Sequence, residues 1–378
     1  MKKIAFLGVL VFLVVLSLGF TGSREKKCEF RKAPPLPSEG IWLNTQSSDK
    51  KIAFDRQLTL LYFWDYTSIH CLRELAYLKK WHKLYTPYGF KIVFIHAPEY
   101  QFAKNRENLT AALDRLGVTY PVYMDNDFKV WEAYGVISWP TKYLVDTKAR
   151  IIHSQIGEGH YAVMERKIRK GLLEMNPNAV LPKTSVKMDR EDYDAETCGY
   201  MSAETSLGYK NDGWLSGELA NQLDVFPEQT CFYRDRGDRV EHGYFVHGKW
   251  TNRIDQLEHA RDVGKYTDYL GVLYSAHEVY AVISHEQTDD LKSVRGGNDI
   301  KIYVTRDEVP VPRSLRGPDL QVDESGETFL RFDQPRLYYL VTREDDRYHE
   351  LKLWPQKKGV GINSFSFSNR CLSEFEHV

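Results

Sequence analysis

The sequence predicts an α/β domain with a central mixed sheet flanked by helices, followed by an all-β domain of the jelly-roll or β-sandwich kind. Three observations predict it. Between about residues 46 and 180, fully apolar strand patterns alternate with segments of helical period. From about 181 to 378 the texture changes to short runs of alternating apolar and polar residues separated by Gly, Asp and Asn clusters. The length of 378 residues also exceeds what one small core organises, and with 42% apolar residues the composition is that of a globular chain, so two domains are expected.

Taken in order, Lys2 and Lys3 precede an unbroken apolar run from Ile4 to Phe20 and then the small, polar Thr-Gly-Ser. That is the charge, core and exit pattern of a secretory signal, so residues 1–22 are expected to be a signal peptide cleaved near Gly22, or an N-terminal anchor if retained. The mature protein is then exported, periplasmic or extracellular, and any membrane contact is through this segment. Residues 23–45, rich in charge and proline, read as a linker or irregular arm. LTLLYFW and GFKIVFIHAP are buried strands, and CLRELAYLKKWHKLY and NRENLTAALDRLG are helices, the second ending at Gly117. YPVYMD is short and extended, FKVWEAYG helical, TKYLVD with ARIIHSQIG a strand pair, and HYAVMERKIRKGLLEMN a closing helix. After Pro177 and Pro182 come GYFVHGKWTN, YLGVLYSAHEVYAVIS, DIKIYVT, RLYYLVT, HELKLWP and GINSFSFS, the strands of the second domain.

Several function classes are excluded or disfavoured. A net charge of −1 argues against a nucleic-acid partner. His153, His160, His247, His277 and His285 are scattered without metal-ligand spacing, so no metal site is expected. No GxSxG, P-loop or dinucleotide fingerprint is present, and no cofactor is expected. The acids at 344–346 read as a turn between strands. Five cysteines in an exported chain leave one unpaired, and Cys71 is the natural odd thiol; spacing does not define pairing among Cys28, Cys198, Cys231 and Cys371.

WDYTSIHCLREL after a strand, the V-x-x-W-P-T stretch from Val136 to Thr141, and the LVD and GEGHY segments resemble the thioredoxin-like domain of exported TlpA- and DipZ-type proteins. ETSLGY, HGKW, RLYYLV and the terminal FSFS are similar to the β-sandwich module joined to that domain in DipZ-type proteins, so the resemblance covers nearly the whole mature chain. It implies a thiol:disulfide oxidoreductase ancestry with a Trp-x-Tyr-x-Cys-x-x-Cys-Leu-Arg site. Here Trp64, Tyr66, Cys71, Leu72 and Arg73 match, while Ser68 stands where the first cysteine is expected.

Dithiol exchange needs an outer thiolate to attack and an inner thiol to resolve, and a serine hydroxyl can do neither. Ordinary dithiol exchange through Ser-Ile-His-Cys is therefore excluded. Three readings remain for Cys71, the candidate nucleophile. It is a reactive monothiol favoured by the helix N-terminus and by His70 as a pKa modulator, exchanging with an exported protein or a low-molecular-weight thiol or disulfide. It is a peroxiredoxin-like peroxidatic cysteine assisted by Ser68, against which Trp64 stands where that family expects proline. Or it is a small buried hydrophobe in a degenerate domain.

The resemblance also implies that Pro140 is cis and faces the site, making a substrate groove shaped by Trp64, Trp139 and Pro140. A non-enzymatic envelope binding protein using this aromatic groove for a peptide, or the sandwich for a carbohydrate through exposed Tyr and Trp, is the competing class. Trp250, Tyr338 and Tyr339 lie in strand patterns with at least one core face.

Overall fold

A computed structural model describes residues 30–45, 54–185, 200–211, 219–220, 226–241, 243–285 and 300–369. The predicted signal or anchor segment lies outside the described residues, as do Cys28, Cys198 and Cys371. Cys71 and Cys231 are free thiols.

The first domain is the expected thioredoxin-like mixed sheet. Its strands are β1 (Trp42–Leu43), β2 (Leu58–Trp64), β3 (Phe90–His96), β4 (Val122–Met124), β5 (Thr141–Val145) and β6 (Ile151–Ile156), and they lie in the order β1-β4-β3-β2-β5-β6. β2, β3 and β4 run parallel, and β5 and β6 add an antiparallel flank. β2 reads as a continuous apolar run because both of its faces are covered. Leu60, Tyr62 and Trp64 point into a core shared with helices α1 (Ile69–Tyr85), α2 (Arg106–Leu116) and α4 (Tyr161–Met175), whereas Leu61 and Phe63 point into a second core under α3 (Lys129–Tyr134). The Asn105 side chain caps α2 by accepting the N–H groups of Glu107 and Asn108, and Gly117, at φ +59°, ends it.

The segment read as a linker is partly fixed. Ala33 and Leu36 are buried in the second core, Arg31 donates to the Ala133 carbonyl at 2.8 Å, and Tyr134 donates to the Pro34 carbonyl at 2.6 Å. Apolar residues at 33 and 36 cover the α3 face of the sheet, which its own single short helix leaves incomplete.

The second domain is all antiparallel. Strands β7 (Thr205–Ser206), β8 (Thr230–Tyr233), β9 (Tyr244–Asn252), β10 (Leu257–His259), β11 (Tyr269–Tyr274), β12 (Glu278–His285), β13 (Lys301–Arg306), β14 (Val309–Pro310), β15 (Leu320–Val322), β16 (Thr328–Arg331), β17 (Arg336–Val341), β18 (His349–Pro355) and β19 (Val360–Ser368) form two layers around one core. One layer runs β15-β16-β13-β18-β11-β9 and the other β9-β10-β19-β12-β17, so β9 belongs to both. It turns the corner at Gly248, where φ is +104° and a Cβ would lie 2.1 Å from the Asp268 carboxyl carbon. Only glycine fits there.

The domains are in contact. Ile69 and Tyr100 of the first form an apolar cluster with Tyr280, Val282 and Leu337 of the second, with Leu72, Phe102 and Tyr339 packed around it. Tyr100 donates to Ser364 at 2.8 Å, and the Gln101 amide donates to the Asp255 carboxylate at 2.6 Å.

Candidate functional site

The site forms where β2 ends and α1 begins. Asp65 follows the strand with its carboxylate fully buried. It accepts the amides of Thr67 at 3.0 Å and Glu99 at 2.6 Å, tying the loop after β2 to the loop after β3. Ser68 is the N-cap residue of α1, but its side chain makes no capping bond. The hydroxyl is instead a neighbour that favours the Cys71 thiolate.

Cys71 is 0% exposed. Burial pushes its thiol well above the ordinary range; hydrogen bonds from the Asp65 backbone and the Ser68 side chain pull it down, while the carboxylates of Glu74 and Asp65 push it further up. A helix N-terminus lowers a thiol pKa only where the thiolate can be solvated or paired, and here burial outweighs it. Ser68 keeps the partly exposed place of the pair, so the chain carries a hydroxyl where attack would occur and a sulfur where it would not.

Three carboxylates missing from the sequence reading of the site surround it. Glu74, one helical turn beyond Cys71, is buried and paired with buried Lys142 of β5. Burial raises its pKa and Lys142 lowers it, for a net value of about 7. Lys142 also donates to the Gly157 carbonyl at 3.2 Å. Glu158, in the turn after β6, accepts from Arg73 Nε at 2.8 Å and lies 3.0 Å from His70 Nδ1. Burial would raise its pKa, but the Arg73 guanidinium and the His70 hydrogen bond hold it at about 2. His70 is therefore turned towards Glu158, with 43% of its side chain exposed, and it is Glu158 that engages it. Asp65 completes the set, with buried His96 at 3.5 Å.

The groove expectation divides. The Trp139–Pro140 peptide is cis, and Trp139 is half-buried, 4.7 Å from Trp131 and 6.4 Å from Phe128 by ring centroids. Ile137 beside it is 77% exposed. Trp64 does not line a groove: it is fully buried against Tyr62, Phe94 and His96. The last residue of a strand covered on both faces has no solvent side on which to present its ring. In the second domain Trp250 and Tyr338 are likewise core, and Tyr339 lies at the domain contact. Among the described residues one group of metal-ligand type, Glu344, Asp345 and His349, has atoms within 4.8 Å of one another. The Arg306 guanidinium occupies the same place, bonded to Glu344 and 2.8 Å from His349 Nδ1.

The AhpC/TSA family model matches residues 43–154, which span most of the first domain's sheet and the Ser68–Cys71 segment. The chain is 33% identical over 291 residues to Protein DipZ of Mycobacterium bovis and of Mycobacterium tuberculosis, covering 76% of this chain and 38% of each relative. It thus spans less than two fifths of those relatives' length. It is 28% identical over 180 residues to the thiol-disulfide oxidoreductase ResA of Bacillus cereus, covering 45% of this chain and 98% of ResA. A solution structure of a thioredoxin-like protein in the oxidised form aligns at 20% identity and TM-score 0.35, over 38% of this chain and 97% of that one. The first domain has a thioredoxin-like fold, is similar over residues 43–154 to the AhpC/TSA family, and is similar to a thiol-disulfide oxidoreductase. Among the described residues no helix is long and apolar enough to cross a membrane.

Proposed function

We propose that this chain is an exported thioredoxin-like protein of DipZ-type ancestry whose site is degenerate: Cys71 is a sequestered monothiol with weak or no redox activity. The observation that carries this reading is the pairing of a partly buried serine at 68 with a fully buried thiol at 71 whose pKa burial raises. Exchange requires a thiolate that can reach a disulfide in line, and a protonated sulfur behind a hydroxyl offers neither. The same burial weighs against a peroxidase role, which also needs the thiolate. Trp250 and Tyr338 of the β domain, which the sequence places in strands with a core face, are buried and offer no ring to a carbohydrate.

The test is trapping. Native protein is incubated with glutathione disulfide and, separately, with hydrogen peroxide, and Cys71 is examined by mass spectrometry beside Cys71→Ala. The expected result is less than about a tenth of the modification found on an unfolded control. Stoichiometric mixed disulfide or sulfenic acid at Cys71 in the folded protein would overturn the proposal.

A further inference from the structure

The net charge of −1 conceals two domains of opposite sign. Residues 30–185 carry 22 Lys and Arg against 15 Asp and Glu, and residues 186–378 carry 24 against 35. The excess in the first domain has a place. Because β2, β3 and β4 run parallel, that domain has two distinct ends. Ser68 and Cys71 lie at one, with Ile69, Arg73, Tyr100 and Gln101, all four of which meet the β domain. The other end is built around Leu58, the first residue of β2. Its amide donates to the Gly89 carbonyl at 2.9 Å, and the next residue, Thr59, pairs with Lys91 of β3 on one side and with Val145, just before the β5–β6 hairpin, on the other. α4 finishes here too: a Cβ on Gly171 would lie 2.9 Å from the Leu58 methyls, and one on Gly89 would lie 3.3 Å from the Met175 methyl.

This end gathers Arg56, Lys83 of the last turn of α1, Lys91, Lys148 of the hairpin and Lys170 of α4; Lys91 is half-buried and the other four are exposed. Its acids are largely matched. Asp146 lies 2.6 Å from Arg150, Glu174 lies 3.8 Å from Lys170, and Asp55 and Asp114 are each followed by an arginine. Past α4 the chain turns tightly, the Ala179 amide donating to the Asn176 carbonyl at 3.1 Å, and is then strapped back by Arg169, which donates to the Pro182 carbonyl, and Lys80, which donates to the Ser185 carbonyl at 2.9 Å. That turn leaves Val180 86% exposed, and Leu173 of α4 is 40% exposed.

We propose that this end of the first domain rests on an anionic lipid bilayer, its cations at the headgroups and Val180 and Leu173 entering the boundary between headgroups and acyl chains. The sequence reading confined membrane contact to residues 1–22; this is a second contact, made by folded surface. Each Lys or Arg close to an anionic bilayer raises partitioning about fivefold, and the attraction decays within a Debye length of about 8 Å at physiological ionic strength. Only cations that share one end of the domain can enter that layer together, and five share this one. A soluble polyanion would be drawn by the same charges but offers nothing to an exposed valine and leucine, whereas a bilayer presents an anionic layer and an apolar one beneath it. The acidic β domain, held at the opposite end, is repelled by the same surface. The two charges therefore select one orientation, in which Ser68, Cys71 and the β domain face away from the lipid.

The experiment reads that orientation. The full chain carrying Val180→Cys is labelled in the folded state with an environment-sensitive fluorophore, and a second sample carries the label at Ser325→Cys on an exposed turn of the β domain; peptide mapping confirms each position. Both are mixed with phosphatidylcholine vesicles with and without phosphatidylglycerol, and with soluble polyphosphate. With phosphatidylglycerol the probe at 180 is expected to shift to the blue, brighten at least about threefold and be quenched by lipids spin-labelled near the headgroup. It should do none of these with phosphatidylcholine alone, with polyphosphate, or in about 1 M salt, where the Debye length falls to about 3 Å. The probe at 325 should not respond. Lys83→Glu/Lys148→Glu/Lys170→Glu should need at least about fiftyfold more lipid for the half-maximal signal, and Lys83→Arg/Lys148→Arg/Lys170→Arg should stay within about threefold of the parent. A response at 180 that is equal without phosphatidylglycerol, equal with polyphosphate, shared by the probe at 325 or unmoved by the glutamate changes would overturn the proposal, as would no response at all. An anchor at residues 1–22 would act equally in both kinds of vesicle, and the readout does not involve Cys71, so this inference and the assignment of a degenerate site fail separately.

Discussion

Ser68→Cys is expected to form an internal disulfide with Cys71 under mild oxidation and to raise insulin-disulfide reduction at least tenfold over the parent chain. The geometry is already in place. The Leu72 amide donates to the Ser68 carbonyl at 3.0 Å, so residue 68 opens the first helical turn and residue 71 lies on it. Residues three apart on a first helical turn have backbones within the range a disulfide spans. The introduced thiol would be half-exposed at a helix N-terminus, the setting that favours thiolate and attack, while Cys71 would take the resolving role that its burial suits. The bridge is read by mass difference after alkylation with and without reductant. A folded variant that stays fully reduced under glutathione disulfide would show that the site has lost more than one sulfur.

Lys142→Met is expected to destabilise the protein by about 3–5 kcal/mol at pH 8, the usual cost of leaving a buried charge without its partner. Glu74 and Lys142 are each 1% exposed in side-chain terms, so neither can turn to water once the other is gone. The pH dependence has a definite sign. The folded-state pKa of Glu74, about 7, lies above the ordinary carboxyl value near 4.5, so the folded chain holds a proton that the unfolded chain releases between those values. The contribution of this proton is complete below about pH 4.5 and is lost as pH rises towards 7. Without Lys142 the folded pKa moves higher still, so the penalty of the variant should be largest at pH 8 and shrink towards zero at pH 5. Glu74→Gln/Lys142→Met, which removes both charges, should recover most of the loss. Urea unfolding at the two pH values checks all three statements, and a pH-independent penalty would mean that the lost packing of the lysine stem, not the charge, is responsible.

The strand and helix order of the first domain was legible because β2 and β3 are apolar on both faces and the helices carry ordinary periodic stripes, with Asn105 and Gly117 marking the ends of α2. Ser68 and Cys71 were legible through the resemblance to the family's Cys-x-x-Cys motif, and their spacing puts them on one helical turn. The residues that act on them were not. Lys142 stands in a strand pattern that reads as half-exposed, and only the fold shows it buried against Glu74, 68 residues earlier. Glu158 lies in the turn after β6, and nothing local in the sequence indicates that this turn folds back onto Arg73, 85 residues away. The resemblance places Trp64 in a groove, whereas a strand covered on both sides buries its final ring. The alternation in FSFS showed a strand with one core face. That its other face meets the first domain and not solvent depends on how two cores pack, and a period of two carries no information on that.

The central claim is that Cys71 is sequestered, and the rate of its alkylation by iodoacetamide as a function of pH tests it most directly. Peptide mass spectrometry resolves Cys71 from the other four cysteines, and the unfolded chain in denaturant supplies the reference. The account predicts native alkylation at least a hundredfold slower than the reference at pH 7, with no titration midpoint below pH 9, as expected of a buried thiol held protonated. Native Cys71 that reacts as fast as the unfolded chain, with a midpoint near or below pH 7, would contradict it and restore this residue as an active nucleophile.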